Sequence, residues 1–147
     1  MKKYRIGYTQ GVFDMFHIGH LNLLKHSKEC CERLIVGVNS DELVFQYKKK
    51  HTIIDENDRC EIVRNIKQVD EAYVVNSLDK IEQHARFHFD VIFVGDDWKD
   101  NERWKKTVLD LQKIGVDVIF LPYTKETSST ILRPMSDSKV DEDEKDD

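Results

Sequence analysis

The chain predicts a single-domain α/β protein with a doubly wound, Rossmann-like, five-stranded parallel sheet. Three observations lead there. At 147 residues it has the length of one ordinary domain, able to bury a core without staples. Short β-branched runs alternate with helical patterns along it, the order that builds β-α-β units. The apolar runs are near-continuous, as expected of strands covered on both faces.

The elements follow in order. Strands are predicted at "YRIGYT" (4–9), "RLIVGV" (33–38), "EAYVV" (71–75), "DVIFVG" (90–95) and "VDVIFL" (116–121). A helix with Leu21, Leu23 and Leu24 should begin near Gly19 and His20. Asp55 is a candidate N-cap for a helix carrying Ile62, Val63 and Ile66 on one stripe. Ser77 can cap "LDKIEQHARF". Trp104, Val108, Leu111 and Ile114 recur at helical spacing, and Gly115 is placed to end that helix. Pro134 marks the end of a last helix. No internal repeat or linker interrupts residues 1–135, so these are expected to form the domain.

Composition excludes several classes. Charged residues make up 35 % and no apolar run approaches the roughly 20 residues that span a bilayer. "MKKYRIGYTQ" lacks the apolar core of a signal peptide, so a cytoplasmic protein is expected. Cys30 and Cys31 are adjacent and Cys60 stands alone, a pattern of reduced thiols and not of a zinc site. Net charge is -5, and residues 136–147, "SDSKVDEDEKDD", hold seven acids and two lysines. This acidic tail has one apolar residue and is expected to be disordered. The remaining body is neutral, with no basic field for nucleic acid.

Ligands in open parallel sheets bind beyond the carboxyl ends of strands. Four post-strand segments therefore matter most: "QGVFDMFHIGH", "NSDELVFQYKKKH", "GDDWKD" and "PYTKETSST". In the first, His17 and His20 flank Gly19. Three readings compete: a metal pair, a buried structural pair and a phosphate-binding pair. A zinc pair would need further ligands, and spacing shows none. A helix opening here would turn free N–H groups and its positive dipole end toward an anion, with Gly19 allowing close approach. Lys48, Lys49 and Lys50 form a cationic run in a loop, either a solvated surface or a phosphate contact. Ser128, Ser129 and Thr130 could cap a helix and bind phosphate. Arg59 lies on the apolar stripe of its helix, so it must pair with an acid or reach the ligand crevice.

The "GVFDMFHIGH" segment resembles the HxGH nucleotidyltransferase superfamily, which also includes class I aminoacyl-tRNA synthetases. A synthetase is excluded by size and by the lack of a "KMSKS"-type segment. With "SDE" (40–42), the lysine loop, Arg59, "VDE" (69–71), "GDDW" (95–98) and "TKETSST" (124–130), the chain is similar to small cytidylyltransferases of the glycerol-3-phosphate cytidylyltransferase group. The resemblance runs from about Tyr4 to Arg133. It implies transfer of CMP from CTP to a small phosphorylated alcohol, with Mg²⁺ carried on the nucleotide, no metal held by side chains, and a homodimer. An adenylyltransferase of the same superfamily and a non-catalytic nucleotide-binding module are the alternatives.

The resemblance also implies roles. His17 and His20 would hold the triphosphate and stabilise charge at the α-phosphorus, while Lys48, Lys49 and Arg59 contact phosphates. Thr9, Phe13 and Asp14 would shape the nucleotide turn around Gly19. Gly95, Asp96 and Trp98 would sit by base and ribose, and Ser128, Ser129 and Thr130 would take the β- and γ-phosphates. Tyr123 stands where the family has arginine and Glu126 where it has glycine; Lys125 could restore the cation for the acceptor. Lys67 also takes a place where arginine is common, and with Lys48 and Lys125 it would bind the acceptor.

Overall fold

The computed structural model describes residues 3–122. Five strands, β1 (Tyr4–Gly11), β2 (Cys31–Asn39), β3 (Glu71–Val75), β4 (Val91–Gly95) and β5 (Asp117–Leu121), form an all-parallel sheet in the order β3-β2-β1-β4-β5. The order reverses at β1, whose Gly7 pairs with Leu34 on one side and Val91 on the other.

Alternate residues of the strands feed two cores, as the period of two requires. Leu34, Val36, Val38, Val91 and Phe93 face Leu24 of α1 (Ile18–Cys30) and Cys60 and Val63 of α3 (Glu56–Arg64). Tyr8, Ile35, Ile92 and Val94 face Trp104 and Leu111 of α5 (Glu102–Lys113), with Phe87 of α4 (Lys80–Phe87) at the margin. Buried on both sides, β4 has no exposed residue, which is why its sequence is uniformly apolar. Gly37 of β2 is required by packing: a Cβ there would lie 2.2 Å from the Tyr8 hydroxyl. All three cysteines are free thiols.

The helix ends show which local signals act. Asp55 accepts from the Asp58 N–H and caps α3. Gly115, at φ 81, follows the end of α5. Three expectations change. The cap of α4 is Asp79, which accepts from Ile81 and Glu82, while Ser77 Oγ accepts from the Asp79 N–H. The lysine run is not wholly loop: α2 (Asp41–Lys48) ends on Lys48, and Lys49 is its left-handed C-cap at φ 60. Helix α1 begins at Ile18, with His17 as its cap. The helix expected before Pro134, and the acidic tail, lie outside the described residues.

Candidate active site

The turn leaving β1 is wound tightly. Phe13 and Met15 have φ of 56° and 50°, a left-handed conformation that side chains other than glycine rarely adopt. Phe13 is held there by burial in the core. Asp14, 6 % exposed, accepts from the Ile53 and Ile54 N–H groups at 2.8 and 3.0 Å. It shapes the turn by fastening the α2–α3 loop across it. Thr9 is likewise committed, its hydroxyl donating to the Phe93 carbonyl at 2.9 Å and tying β1 to β4.

His17 and His20 complete this turn as a reciprocal cap. His17 Nδ1 accepts from the Gly19 N–H, and His20 Nδ1 accepts from the His17 N–H, both at 3.1 Å. The Gly19 N–H is thus used within the cap and does not face a ligand. With each Nδ1 accepting, each neutral imidazole must carry its proton on Nε2. The rings stack with centroids 3.9 Å apart, and Phe13 and Phe16 flank His20. Burial lowers the pKa of His17. Burial, then the neighbouring His17 and Lys48 charges, lower that of His20 further. Both rings are therefore neutral donors near pH 7. Both Nε2 atoms are buried and lack a hydrogen-bond partner among the described residues, a cost of about 1–3 kcal/mol for each donor left unmatched.

The metal reading of this pair finds no support in its geometry. Each Nδ1 is engaged and each Nε2 bears hydrogen. Among the described residues no cluster of three or more His, Cys, Asp or Glu side chains could add ligands. The purely structural reading accounts for Nδ1 but leaves two buried N–H groups unexplained. Oxygen atoms of an anion would satisfy both.

The other expected residues divide. Lys48 is half-buried and close enough to His20 for its charge to bear on the imidazole. Lys49 is exposed. Gly95 closes β4 beside β1, and Asp96 and Trp98 follow in a 3₁₀ turn, Asp96 exposed and Trp98 half-buried.

Arg59 departs from its expected phosphate contact. It is 0 % exposed. Its Nε donates to the Ile54 carbonyl, Nη1 to the carbonyls of Val12 and Asn39, and Nη2 to Asp41 at 2.5 Å. Three loops are thereby held by one guanidinium. Burial works against the Asp41 carboxylate, yet bonds from Arg59, Thr52 and the Glu56 N–H hold its pKa down. Lys67 is also misplaced by its expected role. It lies exposed in the connection entering β3, where Asp70 bonds the early β2 residue Leu34. That is the amino end of the sheet, opposite the crevice. Lys125, Ser128, Ser129 and Thr130, with Tyr123 and Glu126, lie outside the described residues.

A cavity opens at the β1–β4 reversal, lined by Thr9, Gly95 and Trp98 and also by Lys80, Arg103 and Trp104. Sequence reasoning passed over the last three. Lys80 has the look of a solvated first-turn residue, Arg103 belongs to a charged surface pattern, and Trp104 reads as core.

Comparison with known proteins agrees with this fold. The cytidylyltransferase-like family model matches residues 8–135. A FAD synthase of Korarchaeum cryptofilum is 37 % identical over 84 % of this chain and 86 % of its own. A glycerol-3-phosphate cytidylyltransferase of Bacillus spizizenii is 34 % identical over 85 % and 92 %. Among solved structures, the lipopolysaccharide core biosynthesis protein of Thermoplasma volcanium superposes with a TM-score of 0.69 at 30 % identity, covering 83 % of this chain and 98 % of that one.

Proposed function

The chain belongs to the cytidylyltransferase-like family of nucleotidyltransferases, and from that premise we propose that it transfers CMP from CTP to a small phosphorylated alcohol, glycerol 3-phosphate foremost. The products are a CDP-alcohol and pyrophosphate. The observation that carries this reading is the pair of buried Nε2–H donors, without partners among the described residues, at the carboxyl end of the central strand.

In the reaction the acceptor's phosphate oxygen bonds to the α-phosphorus as the bond to the bridging pyrophosphate oxygen breaks. The acceptor is already an anion at neutral pH, so no strong general base is required. Catalysis then rests on positioning and on donors fixed before charge develops. His17 and His20 suit that role because the cap holds both rings and tautomers in place. Lys48 adds positive charge beside them. Mg²⁺ would be carried on the triphosphate, where it screens phosphate charge; N–H-bearing imidazoles fit the phosphate oxygens and not the cation. An intact donor pair favours turnover over a purely sensory module. The family resemblance further implies a cytoplasmic homodimer; no helix among the described residues is long and apolar enough to cross a membrane.

Adenylyl transfer is the second reading, favoured by relatives named FAD synthase at 37 and 38 % identity. Pyrophosphate release should be followed with CTP and ATP against glycerol, ribitol, choline and ethanolamine phosphates and flavin mononucleotide. CTP is expected to be turned over well ahead of ATP. Equal or faster use of ATP across the panel overturns the cytidylyl assignment in favour of the adenylyl one.

A further inference from the structure

The cavity at the β1–β4 reversal contains a feature that phosphate chemistry does not use. Trp98 and Trp104 both line it, and paired indoles commonly cage a quaternary ammonium. Here the chain supplies its own cations to both rings. Lys80 Nζ lies 5.2 Å from the Trp104 centroid, and the Arg103 guanidinium lies 5.5 Å from that of Trp98. Lys80 is 7 % exposed, and its ammonium donates to the Leu78 carbonyl at 2.7 Å, which fixes it in the cavity wall. It is the first residue of α4, which follows β3, so like Gly95 at the end of β4 it lies at the carboxyl end of the parallel sheet, and both line the cavity. Asp97 lines the cavity as well.

We propose that Lys80 selects the acceptor: the cavity takes the neutral, hydroxyl-bearing end of a phosphorylated polyol and rejects a cationic head group. Hydroxyl groups can accept from an ammonium and donate to a carboxylate, so a polyol matches both charged groups. A trimethylammonium or primary ammonium group would find the ring faces taken by Lys80 and Arg103, and would meet two like charges in the lining against the one carboxylate of Asp97. Repulsion of that kind, in a partly shielded site, corresponds to about a hundredfold in relative kcat/KM. The inference rests on the phosphorylated-alcohol reading and is indifferent to which nucleotide is used.

The test uses the full chain, with saturating CTP and, in parallel, ATP. Initial rates of pyrophosphate release are compared for glycerol 3-phosphate, ribitol 5-phosphate and phosphocholine. The wild type should favour a polyol phosphate by about a hundredfold. Lys80→Met keeps the stem over Trp104 and removes the charge. It should cut that preference at least tenfold and raise the polyol KM, with the nucleotide KM changing less than about twofold. Lys80→Arg should restore the preference. Arg103→Ala, at an exposed position, uncovers Trp98 without disturbing a buried group and should improve phosphocholine use severalfold even where Lys80→Met fails to fold. Wild-type use of phosphocholine within tenfold of the polyols overturns the inference, as does an unchanged preference in the folded variants. Polyol turnover with ATP alone would instead sink the cytidylyl reading and leave the role of Lys80 intact. CTP-dependent turnover of phosphocholine would do the reverse.

Discussion

Two buried polar clusters meet at the turn leaving β1, Arg59 on the Val12 carbonyl and the histidine pair just beyond it, and they are built on opposite principles. Around Arg59 the protein supplies its own acceptors: three carbonyls and a carboxylate meet the guanidinium. Around His17 and His20 it supplies partners only to the inner nitrogens of the rings, and among the described residues both outer N–H groups are unmatched. A saturated cluster holds loops together. An unsaturated one, buried at a cost, is what the proposed contact with phosphate oxygens would use. The same expectation of phosphate contact attached to both, and the hydrogen-bond inventory separates them.

The contrast can be broken most forcefully at Arg59. Arg59→Met leaves three carbonyls and Asp41 without their donor and should cost about 3–5 kcal/mol, or roughly 10 °C in melting temperature for a chain of this size. A variant that melts like the wild type but binds nucleotide a hundredfold more weakly would return Arg59 to the phosphates.

The histidines should behave in the reverse manner. Asparagine at a cap and glutamine at the third helical position preserve the capping bonds. His17→Asn and His20→Gln should therefore melt within a few degrees of the wild type, yet lose about two orders of magnitude or more in kcat. Activity lost only in step with unfolding would mean that the pair is structural after all.

A smaller effect sharpens the comparison through pH. His20 has a lowered pKa in the folded chain, for which burial is the main cause. Below its ordinary value near 6.5, the unfolded chain takes up a proton that the folded one resists. Its contribution to stability is present above that pH and is lost as pH falls, by at most about 1.4 kcal/mol per pH unit. Urea denaturation between pH 5 and 8 should show this acid limb flatter in His20→Gln. An identical slope in the variant would show that some other group sets it.

Much of the architecture was legible because its signals are local. Apolar runs mark the strands, and Asp55 and Gly115 mark helix ends. Where two caps compete within three residues, as Ser77 and Asp79 do, residue type cannot choose between them. Helix α2 escaped notice because "DELVFQYK" is short and leads into a lysine run. The need for Arg59 to pair was visible, but its partners are mostly backbone carbonyls gathered from distant loops, and carbonyls carry no sequence signature. Lys67 shows how position outweighs residue type. It precedes a strand, and the crevice lies where strands end. Lys80 follows one, but "NSLDKIEQ" after β3 has no glycine, histidine or hydroxyl run to mark it as a ligand segment.

The strand order also bears on the history of each molecule as it is made. Gly7 and Val91 are neighbours in the sheet although 84 positions separate them along the chain. The histidine turn and the floor of the crevice beside it cannot be brought together until β4 has been synthesised. Until then β1 has one open edge, and only its pairing with β2, some 27 positions away, is within reach. A nascent chain or one truncated before β4 can carry the whole HxGH signature and still have no crevice beside it.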